Sequence, residues 1–423
     1  IGLVRKAQAR PASDSPLDVD APHALAREAA VRSIVLLKND APASGEAPLL
    51  PLDATSSIAL IGEFARTPRF QGGGSSHINP TRVDTALDSL REQAGERVGF
   101  AAGFAFDGSD AASLREEAVA LATDRDVVVA FLGLPDSAES EGFDRTDIDL
   151  PAVQLELLDA LLAVNPNVVV VLSNGAVVAL PFADRVPAIV EAWLLGQAGG
   201  SATADVLTGA SAPSGRLAET IPLRLQDTPA YGAFPGSFGH VRYGEGLLIG
   251  YRWYDARDLA VAYPFGHGLS YTSFAYGEPT VTVGAEGDLR VAVSVTNTGE
   301  HDGREIVQVY VAPEGSAVER APRELKAFAA VEIAAGETRE VELVVRRSDL
   351  AYWDVRVDRF IVEGGVYRVE VGASSRDLRG EARVDVAGDE VRMPLGTDST
   401  LGEALAHPVA GPLLRGLAAD AGA

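Results

Sequence analysis

Hydrophobic and polar positions along the 423 residues follow two rhythms, and the change between them near residue 280 divides the chain. Between about residues 21 and 250, near-continuous apolar runs at 33–38, 56–62, 126–133, 167–174 and 188–194 read as strands buried on both faces. Segments 83–93, 111–123 and 151–165 lie between them and carry apolar residues at three-to-four spacing with charges opposite, which predicts amphipathic helices. Such alternation predicts an α/β fold, a mostly parallel sheet with helices on both faces. Beyond about residue 280 the period falls to two. Runs 289–298, 305–313, 323–333, 337–346, 360–363 and 366–373 predict short strands separated by Gly, Asn or Asp turns, an all-β sandwich of the immunoglobulin or fibronectin type III-like kind.

The expected division is therefore 1–20 as the end of a preceding element and a linker, and 21–250 as the α/β domain. A connector at 251–279, the β-sandwich at 280–388 and an Ala/Leu/Gly-rich helical tail at 389–423 complete it. A chain of this length exceeds one ordinary core, so two or three domains are expected and a site between them is open. The net charge of −24 and the pI near 4.6 argue against nucleic acid as a partner, because phosphate binding needs clustered Lys and Arg. Neutral or cationic ligands fit better. No cysteine is present, which removes disulfides and thiolate chemistry. Apolar runs stay far below the roughly 20 residues that span a bilayer, so no membrane partner is expected and the chain reads as soluble. It starts at Ile1 without a signal-peptide pattern, from which processing or truncation is expected.

Ligands of open parallel sheets bind beyond the carboxyl ends of the strands, and three loops fall there. The first is Arg69-Phe70-Gln71-Gly72-Gly73-Gly74-Ser75-Ser76-His77. Its glycines permit close backbone approach and its Arg69, Gln71 and His77 offer donors, although a tight surface turn explains it equally well. No Gly-Lys-Ser/Thr follows, which disfavours a phosphate loop. The second is Ser137-Ala138-Glu139-Ser140-Glu141-Gly142-Phe143-Asp144-Arg145, in which Asp144, Asp147 and Asp149 crowd two glutamates. Like charges there are expected to raise a carboxyl pKa, with Arg145 opposing, so that Glu141 stays protonated near neutral pH. A solvated acidic loop is the competing explanation. Gly142-Phe143 weighs against it, since an aromatic beside a mobile carboxyl offers a sugar ring an apolar face and a proton donor together. The third loop, Ser173-Asn174-Gly175, reads as a helix entry as readily as a ligand contact. Trp193, Tyr243, Tyr251, Trp253 and Tyr254 are expected to be packing residues. Scattered histidines without H-x-x-H spacing give no metal or cofactor assignment, and no G-x-S-x-G marks a serine hydrolase.

Taken together, Ser33-Ile34-Val35-Leu36-Leu37-Lys38-Asn39, the Gln71-Gly72-Gly73-Gly74-Ser75 loop and the Glu139 to Arg145 stretch resemble the C-terminal half of family 3 glycoside hydrolases of the β-glucosidase type. Pro213-Ser214-Gly215-Arg216-Leu217, Gly250-Tyr251-Arg252, Tyr263-Pro264-Phe265-Gly266-His267-Gly268 and Val295-Thr296-Asn297-Thr298-Gly299 extend the resemblance. It implies a TIM-like barrel preceding an α/β sandwich and a fibronectin type III domain, with residues 1 to 11 as the last barrel helix. It also implies Glu141 as the general acid/base, with Glu139 as the competing assignment. Phe143 would line the leaving-group subsite, and Arg69, Gln71, Gly73 and Ser75 of the Gly-rich loop would border the sugar.

One part of the pattern has no counterpart. The family's aspartate nucleophile, in a Ser-Asp-Trp-like context, does not occur in this sequence, and neither does a Lys-His-Phe-type motif. The resemblance therefore implies the acid/base-bearing part of a retaining β-glycosidase, inactive without a barrel half that carries the nucleophile. The partners expected are a carbohydrate or glycoside and that barrel; self-association into a homo-oligomer is left open, as is the compartment.

Overall fold

The structure, a computed structural model, describes residues 18–42, 45, 47–391 and 394–420. The expected helix at residues 1 to 11 lies outside them. Two compact units divide the chain, one ending at Gly215 and the other starting at Arg216.

In the first unit the order is α1 (Asp20–Ser33), β1 (Val35–Asn39), β2 (Ile58–Ile61), α2 (Ala86–Ala94), β3 (Val98–Ala101), α3 (Ala111–Thr123), β4 (Val127–Gly133), α4 (Ala152–Val164), β5 (Val168–Ser173), β6 (Ala188–Glu191) and α5 (Gly199–Thr208). The six strands lie in the order β1-β6-β5-β4-β2-β3. All neighbours from β6 to β3 pair in parallel, whereas β1 runs antiparallel to β6. The central strands β4 and β5, Val-Val-Val-Ala-Phe-Leu-Gly and Val-Val-Val-Val-Leu-Ser, are buried along almost their whole length. Helices cover both faces, in two packed groups: α1, α2 and α5 in one, α3 and α4 in the other. The α/β reading of the sequence holds.

Helix α1 is tied to α5 by a two-pronged Arg27 to Asp205 ion pair at 2.7 and 2.6 Å. Strand β4 ends where Gly133 lies so close to β5 that an added Cβ would run into the Ser173 carbonyl oxygen. Gln154 of α4, buried, donates to the Gly133 carbonyl at 2.9 Å and accepts from its N–H at 2.8 Å. One side-chain amide thus satisfies both backbone groups at the point where the strand gives way to the acidic loop.

The second unit contains β7 (Ile221–Pro222), α6 (Tyr251–Ala256), β8 (Val261–Tyr263), β9 (Phe274–Tyr276), β10 (Thr280–Val283), β11 (Leu289–Asn297), β12 (Gly303–Pro313), β13 (Glu324–Ile333), β14 (Thr338–Val345), β15 (Tyr352–Asp354), β16 (Arg359–Ile361), β17 (Gly365–Gly372), β18 (Leu378–Val386), α7 (Leu401–Ala406) and α8 (Ala410–Asp420). One sheet joins β10, β11 and β14 with β9 alongside β11, and the other runs β13-β12-β17-β18. Period-two burial puts Leu289, Val291, Val293 and Val295 into a common core with Val307, Val309, Val369 and Val371. This is the fibronectin type III-like sandwich.

Residues 216 to 250 group by their contacts with this second unit. Their backbone explains it: Leu217 donates to the His267 carbonyl at 2.9 Å and accepts from Gly266 N–H at 2.8 Å, and β7 pairs with β8. Two of the sequence motifs are structural here. Asn297, fully buried, donates to the carbonyls of His301 and Ile333 and accepts from the Thr272 hydroxyl and Gly299 N–H. Gly266 sits at φ +82°, and Gln308 Oε1 occupies the space where a Cβ would be.

Candidate functional site

Because β2, β4, β5 and β6 are parallel, their carboxyl ends share one edge of the sheet, and the three loops expected from the sequence leave from it. The Gly-rich loop follows β2. Its Gln71 amide donates to the Ile78 carbonyl at 3.2 Å and accepts from Ile78 N–H at 3.0 Å, closing residues 71 to 78 on themselves. Within that closure, Gly74–Ser76 form one 3₁₀ turn.

The acidic loop lies directly on this turn. A Cβ on Gly73 would collide with Ser140 Oγ, and one on Gly74, whose φ is +84°, would stand 2.5 Å from Glu141 Cβ. The glycines are thus needed for close approach of the acidic loop itself. Glu141 Oε2 accepts from Ser75 N–H at 2.7 Å and from the Ser75 hydroxyl at 2.5 Å. Gly142 follows at φ +96° with open space around it, and Phe143 is about half exposed at 49%.

The two glutamates are in opposite situations. Glu139 is mostly covered, its Oε2 accepting from Arg69 Nη1 at 2.6 Å and Gly175 N–H at 2.8 Å, with Arg145 3.9 Å from Oε1. Glu141 is exposed, and its carboxylate is held through Ser75. The Ser75 hydroxyl, and after it the Ser75 N–H, lower the Glu141 pKa below the ordinary glutamate value. The expected upward shift from crowded like charges is not found. Asp144, Asp147 and Asp149 are exposed to solvent, whereas two donors contact the carboxylate directly.

Arg69 is committed to the same loop. Its side chain, 6% exposed, turns towards the acidic loop and donates to Asp136, Glu139 and the carbonyls of Leu134 and Glu139. Phe70 is tied as well, its carbonyl accepting from Gly196 N–H at 2.8 Å. Next to these residues, Trp193 adopts φ +49°, a backbone that bulky residues rarely take. Buried Glu191 accepts its N–H at 2.9 Å, and Asn174 of the third loop donates to Glu191 at 3.3 Å. Trp193, Phe70 and Arg69 line a crevice of about 40 Å³, room for a few waters rather than a sugar ring.

Sequence reasoning does not single out Gln154, and it places Gly175 in the third loop without its contact to Glu139. A lone Gln on a helix otherwise rich in Leu is the signal that marks the first. Among the described residues no group of His, Asp and Glu could hold a metal ion, and no helix is long and apolar enough to cross a membrane.

An α/β sandwich with a carboxylate loop on its carboxyl edge, followed by a β-sandwich, defines the class. Residues 34–271 match the glycosyl hydrolase family 3 C-terminal domain and residues 305–375 match the fibronectin type III-like domain. The chain belongs to glycoside hydrolase family 3. It is 46% identical, over 99% of its length, to an exo-α-(1→6)-L-arabinopyranosidase of Bifidobacterium breve, and 44% identical, over 85%, to thermostable β-glucosidase B of Acetivibrio thermocellus. The chain spans 56% and 48% of those two relatives. The crystal structure of a Bifidobacterium adolescentis family 3 β-glucosidase superposes with a TM-score of 0.90 at 48% identity, covering 98% of this chain and 60% of that one.

Proposed function

We propose that this chain is the acid/base-bearing part of a retaining β-glycosidase that removes terminal non-reducing sugars from oligosaccharides or glycosides, with Glu141 as the acid/base. The observation that carries the reading is the position of Glu141: the exposed glutamate of the acidic loop, lying on the Gly-rich loop beside a glycine hinge, with Phe143 two residues on. Glu139 offers no comparable freedom, since moving it breaks an ion pair with Arg69 and strands a largely covered charge.

A retaining mechanism needs a second carboxyl about 5–5.5 Å away as nucleophile. That aspartate is supplied by a barrel domain, on the same polypeptide or another, and this region alone does not turn over. In the cycle, Glu141 protonates the departing glycosidic oxygen and afterwards, as carboxylate, takes a proton from water. The Ser75 contacts favour the carboxylate, the form needed in the second step. Closure of the barrel and sugar over the loop removes water from the carboxyl and favours the protonated form needed in the first. Phe143 gives the leaving group an apolar face, and Gly73 and Ser75 border the sugar beneath Glu141.

The glycone is a second question, raised by the relatives themselves, which include both β-glucosidases and an arabinopyranosidase. An α-L-arabinopyranoside and a β-D-glucoside both present an equatorial leaving group, so one acid/base geometry serves both and the barrel reads the sugar. The test is hydrolysis of aryl β-glucoside, β-xyloside and α-L-arabinopyranoside by this chain alone and joined to a family 3 barrel. Turnover is expected only in the joined form. Turnover by residues 1–423 alone, abolished by Glu141→Gln, would contradict the need for a barrel.

A further inference from the structure

The geometry points to Arg69 and Glu139 as a pair of positioning residues that fix where Glu141 stands. This rests on the acid/base reading of Glu141 and assigns Arg69 a role other than sugar contact.

Beyond Gly133 the backbone order is short: Leu134 N–H still reaches the Ser173 carbonyl at 3.0 Å, and Ala138 and Glu139 N–H turn back onto the Pro135 carbonyl at 2.9 and 3.2 Å, so fixing this turn against the rest of the site falls to side chains. Arg69 does this. Its Nη1 reaches the Leu134 carbonyl at 3.0 Å, its Nε reaches Asp136 Oδ1 at 2.9 Å, and the Glu139 carboxylate and carbonyl accept from it at 2.6 and 2.9 Å. One guanidinium therefore grips the whole first limb of the acidic loop. The limb is held from its other side too, because Gly175 at the end of β5 donates to the same Glu139 oxygen at 2.8 Å. A Cβ at residue 175 would come within 3.1 Å of that oxygen, so this approach is also close. Beyond Glu139 the backbone soon reaches Gly142, where order from this clamp stops and the hinge begins.

A contact with sugar would require Arg69 to give up one of these partners from a position already 6% exposed. The chemistry also calls for arginine specifically. A planar fork can meet two carboxylates and two carbonyls at once, whereas a lysine ammonium acts from one atom. With Arg69 removed, Glu139 keeps the Gly175 N–H but loses its closest cation, and the limb is no longer pressed against Gly73 and Gly74, where Glu141 meets Ser75.

The experiment uses the full chain with Arg69→Met, Arg69→Lys and Glu139→Gln. Two quantities are read by NMR: the titration of the Glu141 side-chain carboxyl, and hydrogen exchange of the Gly175 amide against amides of β4 and β5. In Arg69→Met the Glu141 midpoint should rise towards that of an unconstrained glutamate, and Gly175 should exchange about tenfold faster, because the Glu139 carboxylate that accepts its N–H is no longer anchored by Arg69 and opens more often. Glu139→Gln should move both in the same direction. Arg69→Lys should restore part of each, while β4 and β5 keep their protection.

Wild-type values for both quantities in Arg69→Met would overturn the assignment. So would an equal loss of protection across β4 and β5 in Arg69→Met and Glu139→Gln, or failure of both variants to fold, since the pair would then be holding the sheet rather than the loop. None of these readouts requires turnover. If Glu141→Gln left the joined enzyme fully active while the clamp variants behaved as expected, the acid/base reading would fall and the positioning of residue 141 would stand.

Discussion

Ser75 donates twice to a single oxygen of Glu141, from its amide at 2.7 Å and from its hydroxyl at 2.5 Å. Both bonds are made to the charged form, so they lower the pKa of Glu141 from its ordinary value of 4.5. The attachment they provide is therefore complete above that ordinary value and is lost as pH falls through the depressed one. Ser75→Ala removes the larger contribution and leaves the amide. The Glu141 midpoint should rise but stay below that of a free glutamate, as followed by carbon-13 titration of the side chain. Acid release of the loop should start at higher pH in the variant.

Gly74 packs against Glu141 as well. Its φ is +84°, and a Cβ added there would lie 2.5 Å from Glu141 Cβ, which leaves no place for alanine without displacing the acidic loop. Gly74→Ala should cost about 1–3 kcal/mol from backbone strain and overpacking, measured by urea unfolding. It should also abolish the depressed Glu141 titration, which a purely local strain would not do.

Gln154 gives a prediction about the scaffold beneath the site. In Gln154→Leu the N–H and carbonyl of Gly133 both lose a partner in a buried setting. Two such losses should cost about 2–5 kcal/mol in urea unfolding, far more than a leucine in an apolar helix would suggest.

In the β-sandwich unit, Arg356 binds Asp354 through two nitrogens, at 2.9 and 2.5 Å to its two oxygens, and this lowers the Asp354 pKa from 3.8 to about 2. A depressed carboxylate contributes stability above its unfolded pKa and loses it as pH falls towards the folded one. Stability should thus decline between pH 3.8 and about 2 through this residue, and Asp354→Asn should flatten that part of the curve in thermal unfolding across the range.

The strands of the α/β unit are legible in the sequence because burial on both faces leaves no alternative to long apolar runs; the run 126–133 is β4 at Val127–Gly133. Strand β3 and helix α5 are not. Strand β3, Val-Gly-Phe-Ala, pairs on one side only and carries a glycine, so its period is too short to see. Helix α5 opens Gly-Gly-Ser, which contradicts helix propensity and is overridden by packing that buries nearly all of it. The antiparallel direction of β1 has no sequence signal, since a buried strand reads the same either way. At the site, loop positions after β2, β4 and β5 follow from topology, and the Gly-rich loop and Glu141 do meet. The direction of the Glu141 pKa does not follow, because charge spacing along a loop says nothing about a serine 66 residues earlier in the chain. Arg69 is legible as a donor, but its acceptors depend on a loop folded over it.

The most direct test is the leaving-group dependence of Glu141→Gln in an enzyme that joins this region to a family 3 barrel. With aryl β-glycosides of poor leaving groups, which need a proton on the departing oxygen, kcat should fall about 10²- to 10⁴-fold. With activated leaving groups the glycosylation step should be nearly unaffected, because no proton is required there. Undiminished kcat on the poor leaving groups would contradict Glu141 as the acid, and the same loss caused instead by Glu139→Gln, with Glu141 still titrating as in wild type, would move the role to Glu139.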